Sequence, residues 1–348
     1  MDISYNTIIS TDNLLLAWKE FLKGKKNKKD VQEFQMNLMD NIISLQNDLT
    51  SKTYSHGGYT AFNISDPKPR NIHKATVRDR LLHHAIYRIL YPYFDTQFIH
   101  DSYSCRKWKG THRALNRFKD FGRKVSKNNT RQCWILKCDV RKFFASIDHK
   151  ILLEILTYHI LDKDTLWLLN QVISSFSSSP LIYDISYIKK GLPLGNLTSQ
   201  LLVNIYMNQF DQYVKHRLHQ KYYIRYADDF VFFSHNKHEL HNLLQYIVVN
   251  LKERLNLTLH PNKIHIRTLS SGVDFLGWVH FPHHRVLRTV AKRGMLKGLR
   301  GSPTRETIQS CLGLLSHGDT YELRNSIKVW LYSSPLRGCL DLLHLDLR

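Results

Sequence analysis

The sequence predicts an α+β fold, in which helices and short strands occupy separate stretches of the chain. Apolar residues recur at helical spacing across 12–50 and 290–345, which indicates amphipathic helices near both ends. Between these stretches, residues 134–136 are apolar throughout, and residues 222–234 hold two apolar runs around a polar turn. Such patterns are typical of a buried strand and of a β-hairpin. The 348 residues suffice for two or three subdomains around a substantial core.

The remaining elements follow in chain order from the same periodicities. A basic loop at 23–30 interrupts the N-terminal helices, and extended chain around two prolines follows at 54–80. Further helices are predicted from residue 81 to 90, at 152–160, at 202–214 with Thr198 or Ser199 as the N-cap, and at 240–255.

The charge balance of the chain favours a polyanionic partner. Lysine and arginine total 50 against 29 acidic residues, which gives a net charge of +21. Such an excess is typical of a nucleic-acid-binding protein. A generally basic surface that maintains solubility is the alternative.

Cysteine usage and hydropathy favour a cytoplasmic protein. The five cysteines show no Cys-x-x-Cys spacing, so we expect reduced thiols and no zinc ribbon. The N-terminus lacks a signal-peptide pattern, and no apolar run approaches the ~20 residues that span a bilayer. The cluster of His280, His283 and His284 has no matching carboxylate, so we expect no metal site there.

Two adjacent acids mark the turn of the predicted hairpin. Asp228 and Asp229 lie between the apolar runs 222–224 and 230–233. Adjacent carboxylates repel each other and resist burial, so a site that holds them together usually holds a divalent cation. A solvated loop is the alternative.

A second acid stands about 90 residues upstream, at the end of the predicted strand 134–136. Asp139 follows this strand, with Lys137, Arg141 and Lys142 beside it. An acid at a strand end can project into a cleft, and an exposed strand end is the alternative. Two such acidic sites in one basic chain favour a shared metal site.

These two segments resemble motifs A and C of reverse transcriptases, through Asp139-Val-Arg-Lys-Phe-Phe144 and Tyr226-Ala-Asp-Asp229. The glycine-rich stretch 191–200 stands where the family has motif B. Lys263 matches the motif D lysine, and Asp-Phe-Leu-Gly277-Trp278 resembles motif E. The resemblance runs from about residue 12 to about residue 332. It implies a right-hand polymerase, with fingers, a palm of antiparallel sheet backed by helices, and a helical thumb.

The resemblance also implies a domain division. Residues 1–53 are expected to form an N-terminal helical extension, and residues 54–270 the fingers and palm. The fingers are expected mainly in 54–130 and 160–190. Residues 271–348 are expected to hold the motif E hairpin and the thumb.

Functional residues carry over from the family by position. Two Mg²⁺ ions, with Mn²⁺ as a substitute, would clamp the attacking and leaving oxygens of nucleotidyl transfer. Two of the residues named below have a structural alternative: Lys263 as an exposed turn lysine and Phe144 as a core phenylalanine. The implied catalytic residues are Asp139, Asp228, Asp229 and Lys263. The implied metal ligands are Asp139, Val140 through its carbonyl, Asp228 and Asp229.

The resemblance also implies residues that bind the substrates. The dNTP-binding residues are Arg70, Lys74, Arg78, Phe144 as steric gate, Gly195 and Gln200. The nucleic-acid-binding residues are Arg106, Lys109, Tyr226, Gly277 and Trp278.

Motif B points to a branch of the family. Its Gly195-x-x-x-Ser199-Gln200 form resembles the enzymes of diversity-generating retroelements, which are bacterial or phage-encoded and misincorporate opposite adenines. This implies a template RNA, an RNA/cDNA duplex and dNTPs as partners, with a small basic multimeric accessory protein and a structured noncoding RNA. The alternatives are a group II intron-type or antiviral defence reverse transcriptase, and a catalytically silent RNA-binding protein on a polymerase scaffold. An RNA-dependent RNA polymerase is disfavoured by Phe144.

Overall fold

A computed structural model describes residues 3–65, 69–178, 189–300 and 303–332. Its helices and short strands occupy separate runs of the chain, which confirms the α+β prediction. The helices are α1 (Tyr5–Ile9), α2 (Thr11–Phe21), α3 (Lys29–Met36), α4 (Leu38–Thr50), α5 (Val77–Gln97), α6 (Thr111–Val125), α7 (Phe143–Ser146), α8 (His149–His159), α9 (Lys163–Ser174), α10 (Leu197–His216), α11 (Lys237–Leu255), α12 (Thr289–Arg300), α13 (Arg305–Leu315) and α14 (Tyr321–Tyr332).

The strands form three sheets. The sheets have the orders β1-β2, β4-β5-β3-β6 and β7-β8-β9, and the hairpins β1-β2, β4-β5, β7-β8 and β8-β9 are antiparallel. The strands are β1 (Tyr59–Ile64), β2 (Arg70–Ala75), β3 (Trp134–Asp139), β4 (Tyr223–Tyr226), β5 (Asp229–Ser234), β6 (His265–Thr268), β7 (Val273–Phe275), β8 (Trp278–His280) and β9 (Arg285–Leu287).

The chain divides into two compact units. The first comprises the described residues of 1–110, 137–232 and 241–264, and the second those of 111–136, 233–240 and 265–348. The predicted division at residues 53 and 270 stays a prediction. Residues 333–348 of the predicted thumb lie outside the described residues.

Helix α10 runs through the core of the first unit. Its buried residues cover most of its circumference, from Leu201 through Tyr206 to Val214, which is the pattern of a helix surrounded by protein. The helix begins at Leu197 with Asn196 as the N-cap. Thr198 and Ser199 therefore lie in the first turn, and the prediction that one of them is the cap was wrong.

The ends of other helices follow local sequence rules. The Thr76 side chain accepts a hydrogen bond from the Asp79 backbone N–H at the start of α5, and Asp148 caps α8 in the same way. These side chains satisfy amide groups that have no partner inside the helix. Within the described part of the chain, no helix combines the length and the apolarity that crossing a lipid bilayer requires.

Candidate active site

The predicted acidic hairpin is confirmed as β4 and β5. Tyr226 pairs with Asp229 across the turn, so Ala227 and Asp228 form its tip. Ala227 has φ +54°, a left-handed conformation that residues other than glycine adopt only when tertiary contacts hold it. Further contacts therefore hold the tip that carries Asp228.

Arg225 supplies that support from a fully buried position. Its Nη1 donates to the Ala227 carbonyl at 3.1 Å, and its Nε and Nη2 donate to Asp211 of α10 at 2.8 and 2.7 Å. Arg225 and Asp211 are both 0% exposed. Burial opposes the charge on Arg225, but Asp211 outweighs it and raises the arginine pKa. Arg225 therefore keeps its charge, and its contacts join the β4-β5 turn to α10.

Two further contacts extend this network. Asn204 of α10 accepts from Arg225 Nη1 at 3.2 Å and donates to the Ser104 carbonyl at 2.9 Å. Ser102 Oγ accepts from Arg225 Nη2 at 3.2 Å. The turn, α10 and the segment 101–104 therefore share one buried set of hydrogen bonds. Sequence reasoning assigned Arg225 no role, although an arginine between apolar strand residues signals a buried counterion.

Backbone contacts bring Asp139 alongside the turn. Asp139 is the last residue of β3, and β3 neighbours β5 in the sheet. The next residue, Val140, donates its N–H to the Asp228 carbonyl at 3.1 Å, and the Asp139 carbonyl accepts from the His260 N–H at 2.8 Å. The two acidic segments predicted from sequence therefore meet at one place.

Each of two acids has a lysine partner. Lys263 Nζ lies 2.8 Å from Asp139 Oδ1, and Lys137 Nζ lies 3.2 Å from Asp229 Oδ2. The other oxygen of Asp229, Oδ1, is buried without a hydrogen-bond partner. Burial of a carboxylate oxygen without a hydrogen-bond partner costs free energy, so this atom is a candidate ligand for a cation.

The carboxylates lie close enough to repel one another. Burial, with the charges of Asp139 and Asp228, raises the pKa of Asp229 to about 7 against the opposing charge of Lys137. The pKa of Asp228 is also raised, by burial first and Asp139 second. Such crowding of negative charge is relieved by a bound cation.

The donor set fits a hard divalent cation. The oxygens of Asp139, Asp228 and Asp229 are the ligand type that Mg²⁺ prefers. Within the described ranges, no three acidic, histidine or cysteine side chains are grouped closely enough to hold a metal by themselves. Mg²⁺ accepts this arrangement because it commonly uses one or two carboxylates together with waters and substrate phosphates.

The three predicted triphosphate cations occupy different surroundings. Arg70, the first residue of β2, is close enough to Asp228 for its charge to oppose the rise in that pKa. Lys74 and Arg78 instead form ion pairs with Asp30 at 2.7 Å and with Asp48 at 2.5 Å. The structure therefore places Arg70 near the carboxylates and engages the other two with the N-terminal helices.

The motif B loop is hydrogen-bonded to β2. The His73 N–H donates to the Leu194 carbonyl at 2.9 Å, and the Asn196 side chain donates to the His73 carbonyl at 3.2 Å. Gly195 has φ +106°, and a Cβ there would lie 2.7 Å from Ile72 Cγ2. Only glycine fits this close approach. Gln200 lies half-buried in the first turn of α10.

The two adjacent phenylalanines separate by burial. Phe143 is 3% exposed, whereas Phe144 is half-buried, with its ring 5.7 Å from that of Phe143. Phe143 is the core residue of the pair, which leaves part of the Phe144 ring accessible to a ligand.

The predicted nucleic-acid contacts divide between the two units. In the first unit, Arg106 donates to Asp95 at 2.7 Å and Lys109 donates to the His100 carbonyl at 2.8 Å, while Tyr226 is half-buried beside the turn. In the second unit, Gly277 forms the β7-β8 turn at φ +85°, and Trp278 is 1% exposed. Their roles in binding stay predictions.

Known proteins resemble this chain in sequence. Protein YkfC of Escherichia coli (strain K12) is 25% identical, over 67% of this chain and 67% of that protein. The group II intron-encoded protein LtrA of Lactococcus lactis subsp. cremoris is 29% identical over 42% of this chain, which spans 23% of LtrA. A putative COX1/OXI3 intron 2 protein of Saccharomyces cerevisiae is 24% identical over 44% of this chain and 24% of its own length. The chain thus spans about a quarter of these intron-encoded relatives.

Solved structures and family models complete the comparison. A telomerase from Candida Tropicalis, in complex with a TWJ fragment of telomeric RNA, superposes with a TM-score of 0.48 at 12% identity, over 83% of this chain and 58% of that one. The model of the family described as "Reverse transcriptase (RNA-dependent DNA polymerase)" matches residues 65–280, more than half of the chain. Together with the acidic hairpin beside β3, this match confirms the predicted right-hand polymerase fold: the chain belongs to the reverse transcriptase family.

Proposed function

We propose that this protein copies an RNA template into DNA by two-metal nucleotidyl transfer. The observation that carries the proposal is the hydrogen bond from the Val140 N–H to the Asp228 carbonyl, because it sets the acid of β3 beside the acidic hairpin. The partners are a template RNA, the RNA/cDNA duplex and dNTPs.

Asp139, Asp228 and the Val140 carbonyl would hold two Mg²⁺ ions, or Mn²⁺ in their place, and Asp229 would complete the site. Bound metal supplies charge stabilisation for the attacking and leaving oxygens. The buried, unpaired Oδ1 of Asp229 and the raised carboxylate pKa values support a cation here.

The chain's own residues bind and orient the substrates. Arg70 lies near Asp228 and would bind the triphosphate, whose charge it neutralises. Lys263 would donate a proton to the departing pyrophosphate. To do so, its Nζ would leave the contact with Asp139 Oδ1. The accessible part of the Phe144 ring would collide with a ribose 2′-hydroxyl and so favour dNTPs.

We further propose that the enzyme is the error-prone reverse transcriptase of a diversity-generating retroelement. Support comes from the motif B sequence, in which Leu194 and Gln200 flank the hydrogen-bonded loop. In this role it would work with a small basic multimeric accessory protein and a structured noncoding RNA. A group II intron-type enzyme is the second candidate, because relatives with intron-encoded names match the chain.

Primer extension on an RNA template with Mg²⁺ and dNTPs tests the polymerase proposal. An Asp228→Asn/Asp229→Asn variant should lose extension, while Asp40→Asn, at an exposed acid of α4, should retain it. Extension by the double variant at the rate of the parent would refute the assignment. Product sequencing then separates the branches: errors concentrated opposite adenine support the retroelement, and evenly spread errors support the intron-type enzyme.

A further inference from the structure

We propose that Trp108 is a stacking platform for an unpaired base of single-stranded RNA. The proposal deepens the polymerase function above and rests on it for the class of ligand. Four observations carry it: the exposure of the indole, the backbone conformation beneath it, the scaffold that holds its loop, and the cations on either side.

Trp108 is 83% exposed. A tryptophan side chain presents a large apolar surface, and folding normally buries it. Trp108 lies in the segment 105–110, between α5 and α6, and hence in the first unit with the candidate active site. The exposure places a flat aromatic face in solvent, where a planar ligand can reach it.

The backbone under the indole is held in a sparsely populated conformation. Trp108 has φ +62°, and Cys105 in the same loop has φ +54°. Bulky residues adopt this region only where the surrounding structure enforces it, and such residues concentrate at ligand-binding sites. A glycine at position 108 would adopt this backbone without strain, whereas tryptophan adds a large aromatic side chain there.

The loop is built to be rigid. The Arg106 side chain is 6% exposed and donates to Asp95 at 2.7 Å and to the Ile99 carbonyl at 2.7 Å. The Gly110 N–H donates to the Tyr103 carbonyl at 3.0 Å. Trp108 is therefore presented by a preorganised loop, and little conformational entropy is lost when a ligand binds.

The residues on either side of Trp108 are positioned lysines. Lys107 Nζ lies 5.3 Å from the centre of the Tyr91 ring, and the Lys107 backbone N–H donates to the Tyr91 hydroxyl at 2.7 Å. Lys109 Nζ donates to the His100 carbonyl and lies 5.2 Å from the Tyr103 ring. An aromatic face between two cations matches a base and its flanking phosphates.

An unpaired base fits this platform better than duplex does. In a duplex the faces of the bases are stacked on one another, whereas a single strand offers each face to an aromatic side chain. The occupant is therefore the single-stranded part of an RNA, such as the template ahead of the duplex.

Equilibrium binding by the full chain tests the proposal, with two fluorescently labelled RNAs. One is a primed template with a single-stranded 5′ extension, and the other is a blunt duplex of the same length. Trp108→Ala should weaken binding of the extended RNA by about 5- to 150-fold and leave binding of the blunt duplex unchanged. Trp108→Phe should retain most of the affinity, because a smaller ring still stacks.

Tyr158→Ala provides the matched control. Tyr158 is an 84% exposed aromatic residue on α8, and its removal should leave both affinities unchanged. Equal affinity of Trp108→Ala and the parent for the extended RNA would overturn the proposal, as would an equal loss for both RNAs. The binding measurement needs no nucleotide, so absence of extension by the parent would sink the polymerase proposal alone.

Discussion

In the buried ion pair of Arg225 and Asp211, the stability of the fold should depend on each charge having its partner, and Arg225 should also position the β4-β5 turn. Two variants separate these roles: Arg225→Met removes one charge, and Arg225→Met with Asp211→Leu removes both. The pair is 0% exposed, and Arg225 also holds the Ala227 carbonyl at 3.1 Å. The single change removes the cation beside the buried Asp211 carboxylate and leaves the Tyr223 hydroxyl donating to it at 2.8 Å.

The structure sets the expected magnitudes. Removal of one partner of a buried ion pair costs about 3–5 kcal/mol, whereas its replacement by apolar residues of similar volume is often neutral. We therefore expect Arg225→Met to lower the free energy of unfolding by about 3–5 kcal/mol and the double variant to recover most of that loss. Neither variant can donate a hydrogen bond to the Ala227 carbonyl, so the turn is free to shift. A displacement of about 1 Å in reacting groups costs on the order of 10²-fold in rate.

The assays are urea unfolding and single-turnover primer extension. The double variant should unfold close to the parent yet extend the primer about 10²-fold more slowly. As a control, Lys29→Ala breaks the exposed pair with Glu33, in which the side chains are 91% and 62% exposed, and should change neither measurement appreciably. Full extension by a stable double variant would refute the positioning role. Unchanged stability of Arg225→Met would refute the energetic reasoning.

Three other predictions follow from single sites. Gly195→Ala should lower the free energy of unfolding by about 1–3 kcal/mol, because the added Cβ would meet Ile72 at a backbone φ of +106°; unfolding in urea at the midpoint of the parent would contradict this. Lys263→Met should reduce the turnover rate by at least about 10²-fold, with a stability change under about 1 kcal/mol because the lysine is 41% exposed; an unchanged rate would remove its proton-donor role. Burial lowers the pKa of His83 to about 3, so the folded protein keeps this imidazole neutral. The unfolded chain protonates it below about pH 6.5, so the free energy of unfolding falls as the pH drops below that value. Between pH 8 and pH 5 the free energy of unfolding should fall by about 2 kcal/mol more in the parent than in His83→Gln, and equal slopes in urea titrations would show the reasoning to be wrong.

Much of the fold could be predicted because its signals are local. The hairpin at 223–234 appears as two apolar runs around a polar turn, and α11 as apolar residues at helical spacing. The start of α10 was missed by two or three residues, because Asn196, Thr198 and Ser199 are all residue types that cap helices and the sequence does not show which of them is used. Local rules of this kind depend on a few neighbouring residues, so a sequence displays them directly.

Contacts over long sequence separation could not be predicted in the same way. Arg225 meets Ser102 across 123 residues, and Lys263 meets Asp139 across 124. No local pattern states which acid pairs with which cation, since the pairing depends on where the elements pack. Sequence reasoning therefore placed Arg106 among the nucleic-acid contacts but did not find that the Asp95 carboxylate and three backbone carbonyls accept hydrogen bonds from its side chain.

The amino-acid sequence alone was enough to predict the family of this chain. Asp139 at a strand end and Asp228 and Asp229 at a hairpin turn are local features, and their order along the chain identifies the family. How those groups are held became visible only in the folded structure. Burial raised the pKa of Asp229, α10 supplied the counterion for Arg225, and Trp108 remained exposed on a rigid loop. These properties depend on which groups exclude water around a side chain, and that is settled only when distant segments pack together.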